Sequence, residues 1–186
     1  MKKETRVIGI DDAPFNKKSK KDVLVIGAIF RGGSWFDGLL STKVKVDGTD
    51  STRKLISMIN SSKFRPQLQC IFLDGIAVAG FNVIDTQKLH KATKLPVIVV
   101  IRRFPDYTSI RRALAIIRKP SRFKLMEQAG PVQKIGKVYC QLIGIDLKKA
   151  RELLKLTCTR SHIPEPVRVA HMIASGITEG QSRGRA

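Results

Sequence analysis

LQCIFLDG (residues 68–75) and LPVIVVI (95–101) are continuous apolar runs, closed by Asp74-Gly75 and by Arg102-Arg103. Runs of this length that are apolar throughout read as strands covered on both faces. A helix fits between them across 81–93, and a strand–helix–strand unit implies parallel pairing through a right-handed crossover. Toward the N-terminus, TRVIGI (5–10) stops at Asp11-Asp12 and is followed by a loop with a basic block at 17–21. VLVIGAIFRGG (23–33) is a glycine-stopped buried strand, and SWFDGLLSTKVKVDG (34–48) alternates at its end, with Val44 and Val46 against Lys43 and Lys45. Short connections make these three an antiparallel meander. Leu55, Ile56, Met58 and Ile59 fall on one side of an amphipathic helix over 52–62. Beyond Pro105 the pattern predicts a basic helix over 107–119, a hairpin around Gly136-Lys137 within 132–145, a helix over 147–157, and a last helix in 162–177 with Pro164 and Pro166 at its start. The tail from Thr178 is polar and glycine-rich. The sum is an α/β chain of one domain, 1–186: an antiparallel three-strand meander followed by parallel strands in one mixed sheet, with helices on both faces.

Thirty-five Lys and Arg against fifteen Asp and Glu give a net charge of +20. A field of that size attracts polyanions, and nucleic acid is the expected partner. No apolar run reaches the roughly 20 residues that span a bilayer. The N-terminus has no apolar stretch of signal-peptide length before its first acids, so a cytoplasmic location with no membrane partner is expected. Cys70, Cys140 and Cys158 form no C-x-x-C pair and read as small hydrophobes rather than disulfides or zinc ligands.

Asp11 and Asp74 each follow an apolar strand, VIGI and CIFL. The carboxyl ends of strands face the crevice where open α/β sheets bind ligands. Two carboxylates drawn together there repel each other, and a hard divalent cation, Mg²⁺ or Mn²⁺, removes that cost. Acids within a basic surface suit metal-assisted phosphodiester hydrolysis. The plainer readings stand beside this one: Asp-Gly after a strand is a common turn, and Asp50 before Ser51-Thr52 is a common helix cap. Asp12, Asp37, Asp47 and Asp85 read as loop, turn or helix-start acids. Trp35 and Phe36 read as core or hairpin surface, with base stacking as the alternative.

IPEPVRVAH (163–171) resembles the segment of endonuclease V in which a Pro-Glu-Pro-Thr-Arg-like stretch enters a helix carrying His or Asp. VIGIDD (7–12) resembles that family's first strand, FLDGIAVAGF (72–81) its Asp-Gly strand end, and LPVIVVIRR (95–103) the following strand, which ends in a catalytic lysine. The four strings keep the family's order across most of residues 7–171. With its VDGTDST stretch and GQSRGRA tail, the chain resembles most closely an archaeal family related to endonuclease V, described as endonucleases acting at deoxyuridine. The resemblance implies a ribonuclease H-like fold, Mg²⁺ or Mn²⁺, and hydrolysis of DNA near a deaminated base (uracil or hypoxanthine) in repair. It also implies roles: Asp11 and Asp74 as metal ligands, Asp50 in the place of the family's glutamate (Asp47 otherwise), and His171 near the metal or attacking water. Arg102 falls in the place of the lysine, set to contact phosphate; a guanidinium does not exchange protons near neutral pH.

Two departures qualify what carries over. The family's Pro-Tyr-Ile-Pro wedge is missing from KVKVDGTDST, and AVAGF replaces its His-Pro-Arg-like stretch. The carboxylate site is therefore expected to transfer better than base recognition. The competing expectations are a non-catalytic nucleic-acid-binding module that retains the fold and an RNA- or structure-directed nuclease.

Overall fold

The computed structural model describes residues 3–16 and 21–182; most of the basic block at 17–21 and the tail beyond 182 lie outside them. In chain order, β1 (Arg6–Asp12), β2 (Val23–Arg31) and β3 (Trp35–Val44) are followed by α1 (Ser51–Asn60) and β4 (Cys70–Asp74). A short ribbon, β5 (Ala77–Val78) and β6 (Asn82–Val83), leads to α2 (Thr86–Thr93) and β7 (Val97–Ile101). Next come α3 (Tyr107–Ile116), α4 (Arg122–Gln128), the hairpin β8 (Gln133–Ile135) and β9 (Val138–Ile143), then α5 (Leu147–Thr157) and α6 (Glu165–Glu179).

Seven strands form one mixed sheet in the order β3-β2-β1-β4-β7-β9-β8. The expected meander is present, and β4 runs parallel to β1 and β7 parallel to β4. The hairpin then adds β9 antiparallel to β7. The three apolar runs read as buried strands form its centre together with β1, and Val7, Ile8, Val25, Ile29, Ile71, Phe72, Val97 and Val99 are wholly buried. Helices cover both faces. Met58 of α1 reaches Gly27 on one face, and α2 and α4 join that layer; α6 lies on the other face, where a Cβ on Gly9 would meet the Pro166 carbonyl carbon at 2.2 Å.

This topology places the site. The chain leaves β1 toward β2 on one side, and β4 docks on the other, so the connections diverge at the β1/β4 boundary. Register pairs Ile10 with Leu73, and the next residue on each strand is Asp11 or Asp74.

Two local expectations are corrected. The helix expected from 81 starts at Thr86, where the Asp85 carboxylate accepts the Lys88 N–H at 2.8 Å as its cap. Residues 77–83 instead form the ribbon, turned by Ala79 and Gly80 at φ 49° and 84°. A side chain at Gly80 would also strike Asp47 Oδ1 at 2.5 Å, so this turn requires glycine. Residues 122–128, expected as no element, form α4, whose Arg122 is buried and donates to the main-chain oxygens of Phe81 and Asp47. The helix at 147–157 and the hairpin turn at Gly136 (φ 63°) follow the sequence pattern.

Candidate metal centre

Asp11 is 5% exposed at the end of β1, on the face covered by α6. One turn and more into α6, His171 points back at it, with Nδ1 2.8 Å from Asp11 Oδ2. An ionised carboxylate only accepts, so Nδ1 carries the proton of this hydrogen bond. Asp11 Oδ1 accepts the Asp12 N–H at 2.8 Å. Asp74 adjoins from β4, and its Oδ2 accepts from Arg102 Nη2 at 2.9 Å. One ligand atom from each of Asp11, Asp74 and His171 can be chosen so that all lie within 4.8 Å of one another.

Burial, and then the neighbouring charge of Asp11, push the Asp74 carboxyl up to about 6, against the pull of Arg102 and His171. Asp12 is raised further, to about 7, by burial first and by Asp11 and Asp74, although its Oδ2 accepts the Ala79 N–H at 2.8 Å. Three carboxyl groups at the adjoining ends of β1 and β4 thus crowd one another, a cost that a cation would relieve, and oxygen donors with one imidazole would fit Mn²⁺ or Mg²⁺. These residues, with Ala13, Pro14, Phe15 and Arg102, line a shallow pocket of about 520 Å³. A larger cavity, about 870 Å³, opens at the opposite strand ends beside Arg6, Arg31 and Gln69. Arg6 and Arg31 there are engaged by Asp37, at 2.6 and 3.1 Å, and the acid cluster singles out the smaller pocket as the candidate site.

Of the expected site residues, Asp11, Asp74, His171 and Arg102 come together. Arg102, expected on phosphate, is paired with Asp74. Asp50 does not join the group: its Oδ1 accepts the Asn82 amide at 2.8 Å and the Lys45 N–H at 3.2 Å. Against its burial, those hydrogen bonds hold its carboxyl below the usual range. It occupies the cap position of α1 without a side-chain capping bond. Asp47, the alternative, bonds the Phe81 N–H at 2.7 Å. Both acids tie the loop before α1 to the β5–β6 ribbon. Asp12, read as a loop acid, is the last residue of β1, registered with Val25. Arg168 pairs with buried Glu165 at 2.6 Å. Trp35 and Phe36 are exposed on the outer strand β3.

The sequence matches the family described as endonuclease dU over residues 3–178. The chain belongs to the endonuclease dU family. A UPF0215 protein of Methanothermobacter thermautotrophicus is 47% identical over 191 residues, covering 100% of this chain and 94% of that protein. Among solved structures, a protein of unknown function from Archaeoglobus fulgidus superimposes with a TM-score of 0.86 at 41% identity, covering 92% of this chain and 97% of that one. Endonuclease V of Ciona intestinalis, in complex with a 23mer DNA containing an inosine followed by a ribo-adenosine, gives a TM-score of 0.59 at 14% identity, covering 91% and 83%. That likeness establishes the ribonuclease H-like fold. The endonuclease dU family assignment and this fold together support a nuclease. No helix among the described residues is long and apolar enough to cross a membrane.

Proposed function

We propose that this member of the endonuclease dU family is a divalent-metal-dependent endonuclease that hydrolyses a phosphodiester in DNA near a deaminated base. The observation that carries the reading is the convergence of Asp11, Asp74 and His171 within 4.8 Å at adjoining parallel strand ends, in a chain of net charge +20. The family description favours uracil as the base, and the nucleic-acid complex of the Ciona endonuclease V supports a nucleic-acid substrate.

Asp11 and Asp74 would hold Mg²⁺ or Mn²⁺, with His171 beside them. When bound, the cation supplies charge stabilisation for the phosphate oxygens and lowers the pKa of water. The protein's own groups do the rest. The Nδ1–H bond to Asp11 fixes the imidazole and leaves Nε2 to take or pass a proton at the pocket. Arg102, released from Asp74, pairs with a phosphate oxygen and stabilises the charge that develops there. Since Arg102 stays protonated, His171 carries the proton transfer.

The test is nicking of uracil- and hypoxanthine-containing oligonucleotides with Mg²⁺ or Mn²⁺. Asp11→Asn and Asp74→Asn are each expected to reduce nicking by 100-fold or more, on the order of a lost electrostatic stabiliser. Residual nicking equal to the unaltered protein excludes them as ligands. The Arg102–Asp74 ion pair favours one second reading: the guanidinium is a permanent substitute for the cation, and the chain binds nucleic acid without cutting it. Metal-dependent turnover rejects that alternative.

A further inference from the structure

Phe104 is 58% exposed, and it stands in an aromatic cluster with Tyr107 and Tyr139 rather than alone. Its place is specific. Val100 is registered with Asp74, so Phe104, four residues on, has its Cα within roughly 14 Å of Val100 at full extension, beyond the acid-bearing end of the sheet. Its ring is braced rather than loose. Tyr139 meets it edge-on at 5.6 Å and Tyr107 at 6.2 Å, and Tyr107 in turn rests edge-on against Phe123 at 5.8 Å. Arg102 and Arg103 precede it, and α3 immediately after it carries exposed Arg112.

An apolar ring with a cationic border fits an occupant that has both a flat π-face and an anionic chain. A second basic copy of this protein would be repelled, and a plain apolar ligand would leave the arginines unused. Trp35 and Phe36, also exposed, lack this setting: Trp35 registers with Arg31, which registers with Arg6, so they lie at the opposite end of the sheet.

We propose that Phe104 is a stacking platform for an unpaired base of the nucleic acid whose phosphate lies at the acid cluster. The proposal rests on the nucleic-acid reading given above and adds the element that contacts the bases, which the acids and arginines do not supply. Tyr107 and Tyr139 hold the ring in place, so little side-chain freedom remains to be lost when a base docks.

The test measures binding of a labelled single-stranded oligonucleotide in chelator, so that no strand is cut. Phe104→Ala is expected to weaken binding by roughly 5- to 100-fold, the loss for one stacked base. Phe104→Leu should weaken it similarly and Phe104→Trp should restore it, because stacking and not apolar area is required. In a Trp35→Phe background, the Phe104→Trp emission should be quenched by the oligonucleotide and unchanged by an abasic strand of equal length. Unaltered affinity in Phe104→Leu, or equal losses in Phe104→Ala for the abasic and base-bearing strands, overturns the platform while leaving the nuclease reading intact. Failure of the unaltered protein to bind any strand defeats both.

Discussion

Asp12 sits beside the proposed ligands without having been an expected one, and its chemistry is legible only in three dimensions. Its hydrogen-bond donor, the Ala79 N–H, lies 67 positions away, so nothing in the local string VIGIDD distinguishes a buried acid from a turn acid. Burial, then Asp11 and Asp74, raise it from 3.8 to about 7. Between these values the folded chain holds a proton that the unfolded chain releases. The stabilisation is therefore fully present below about pH 3.8 and disappears as pH rises through about 7. A gap of this width is worth on the order of a few kcal/mol. Asp12→Asn should accordingly raise the melting temperature of the metal-free protein at pH 8 by roughly 5–10 °C and change it little at pH 4. Equal changes at both pH values would count against a buried, ionised Asp12. Asp74, raised to about 6 with the same sign, binds its proton in competition with a cation. Mn²⁺ affinity measured by calorimetry should hold above pH 7 and fall as pH drops through about 6; a flat profile from 7.5 to 5 would remove Asp74 from the ligand set.

At the level of elements, what the sequence revealed depended on whether local pattern or distant contact decided the structure. VLVIGAIF, CIFL and VIVVI are strands because unbroken apolar runs bury on both faces, and that needs no knowledge of neighbours. The site inherits this clarity, since Asp11 and Asp74 are marked by the strands they end. The ribbon at 77–83 and helix α4 were not visible, because their reasons are non-local: Asn82 is buried against Lys45 and Asp50, and Arg122 is buried against main-chain oxygens of Phe81 and Asp47. Asp50 stands apart for a related reason: the resemblance puts a ligand there, but Asn82 and the Lys45 N–H occupy its Oδ1. Asp50→Ala is expected to destabilise the fold by about 1–3 kcal/mol, through an unsatisfied buried amide, and to leave Mn²⁺ affinity within about twofold. A loss of metal binding without a loss of stability would return Asp50 to the ligands. Helix α6 carries the other half of the site, and its distance from β1 is set at Gly9, where any side chain meets Pro166 backbone. Gly9→Ala must push α6 outward, taking His171 from Asp11; a stability loss of about 1–3 kcal/mol and weaker Mn²⁺ binding should appear together.

Over the whole molecule, the net charge of +20 and the acid cluster act on different steps. Phosphate neutralisation by Lys and Arg releases counterions, so the logarithm of affinity falls linearly with the logarithm of salt, by about 0.7 per phosphate contact on a single strand. Exposed Arg103, next to Phe104 in the chain, and exposed Arg112 on α3 belong to that term. Arg103→Gln and Arg112→Gln should each make the salt slope shallower by about 0.7. Stacking on Phe104 displaces no counterions, so Phe104→Ala should lower the whole line at unchanged slope. Asp11→Asn removes a negative charge from a cationic surface, and should bind nucleic acid at least as tightly as the unaltered protein while losing metal-dependent nicking. These are three separable signatures, slope, offset and turnover, read from one set of titrations in 50–300 mM salt. A common slope change in the Phe104 and arginine variants would mean that the aromatic cluster merely positions the charges, and weaker binding by Asp11→Asn would mean that the acids shape the surface on which the strand lies.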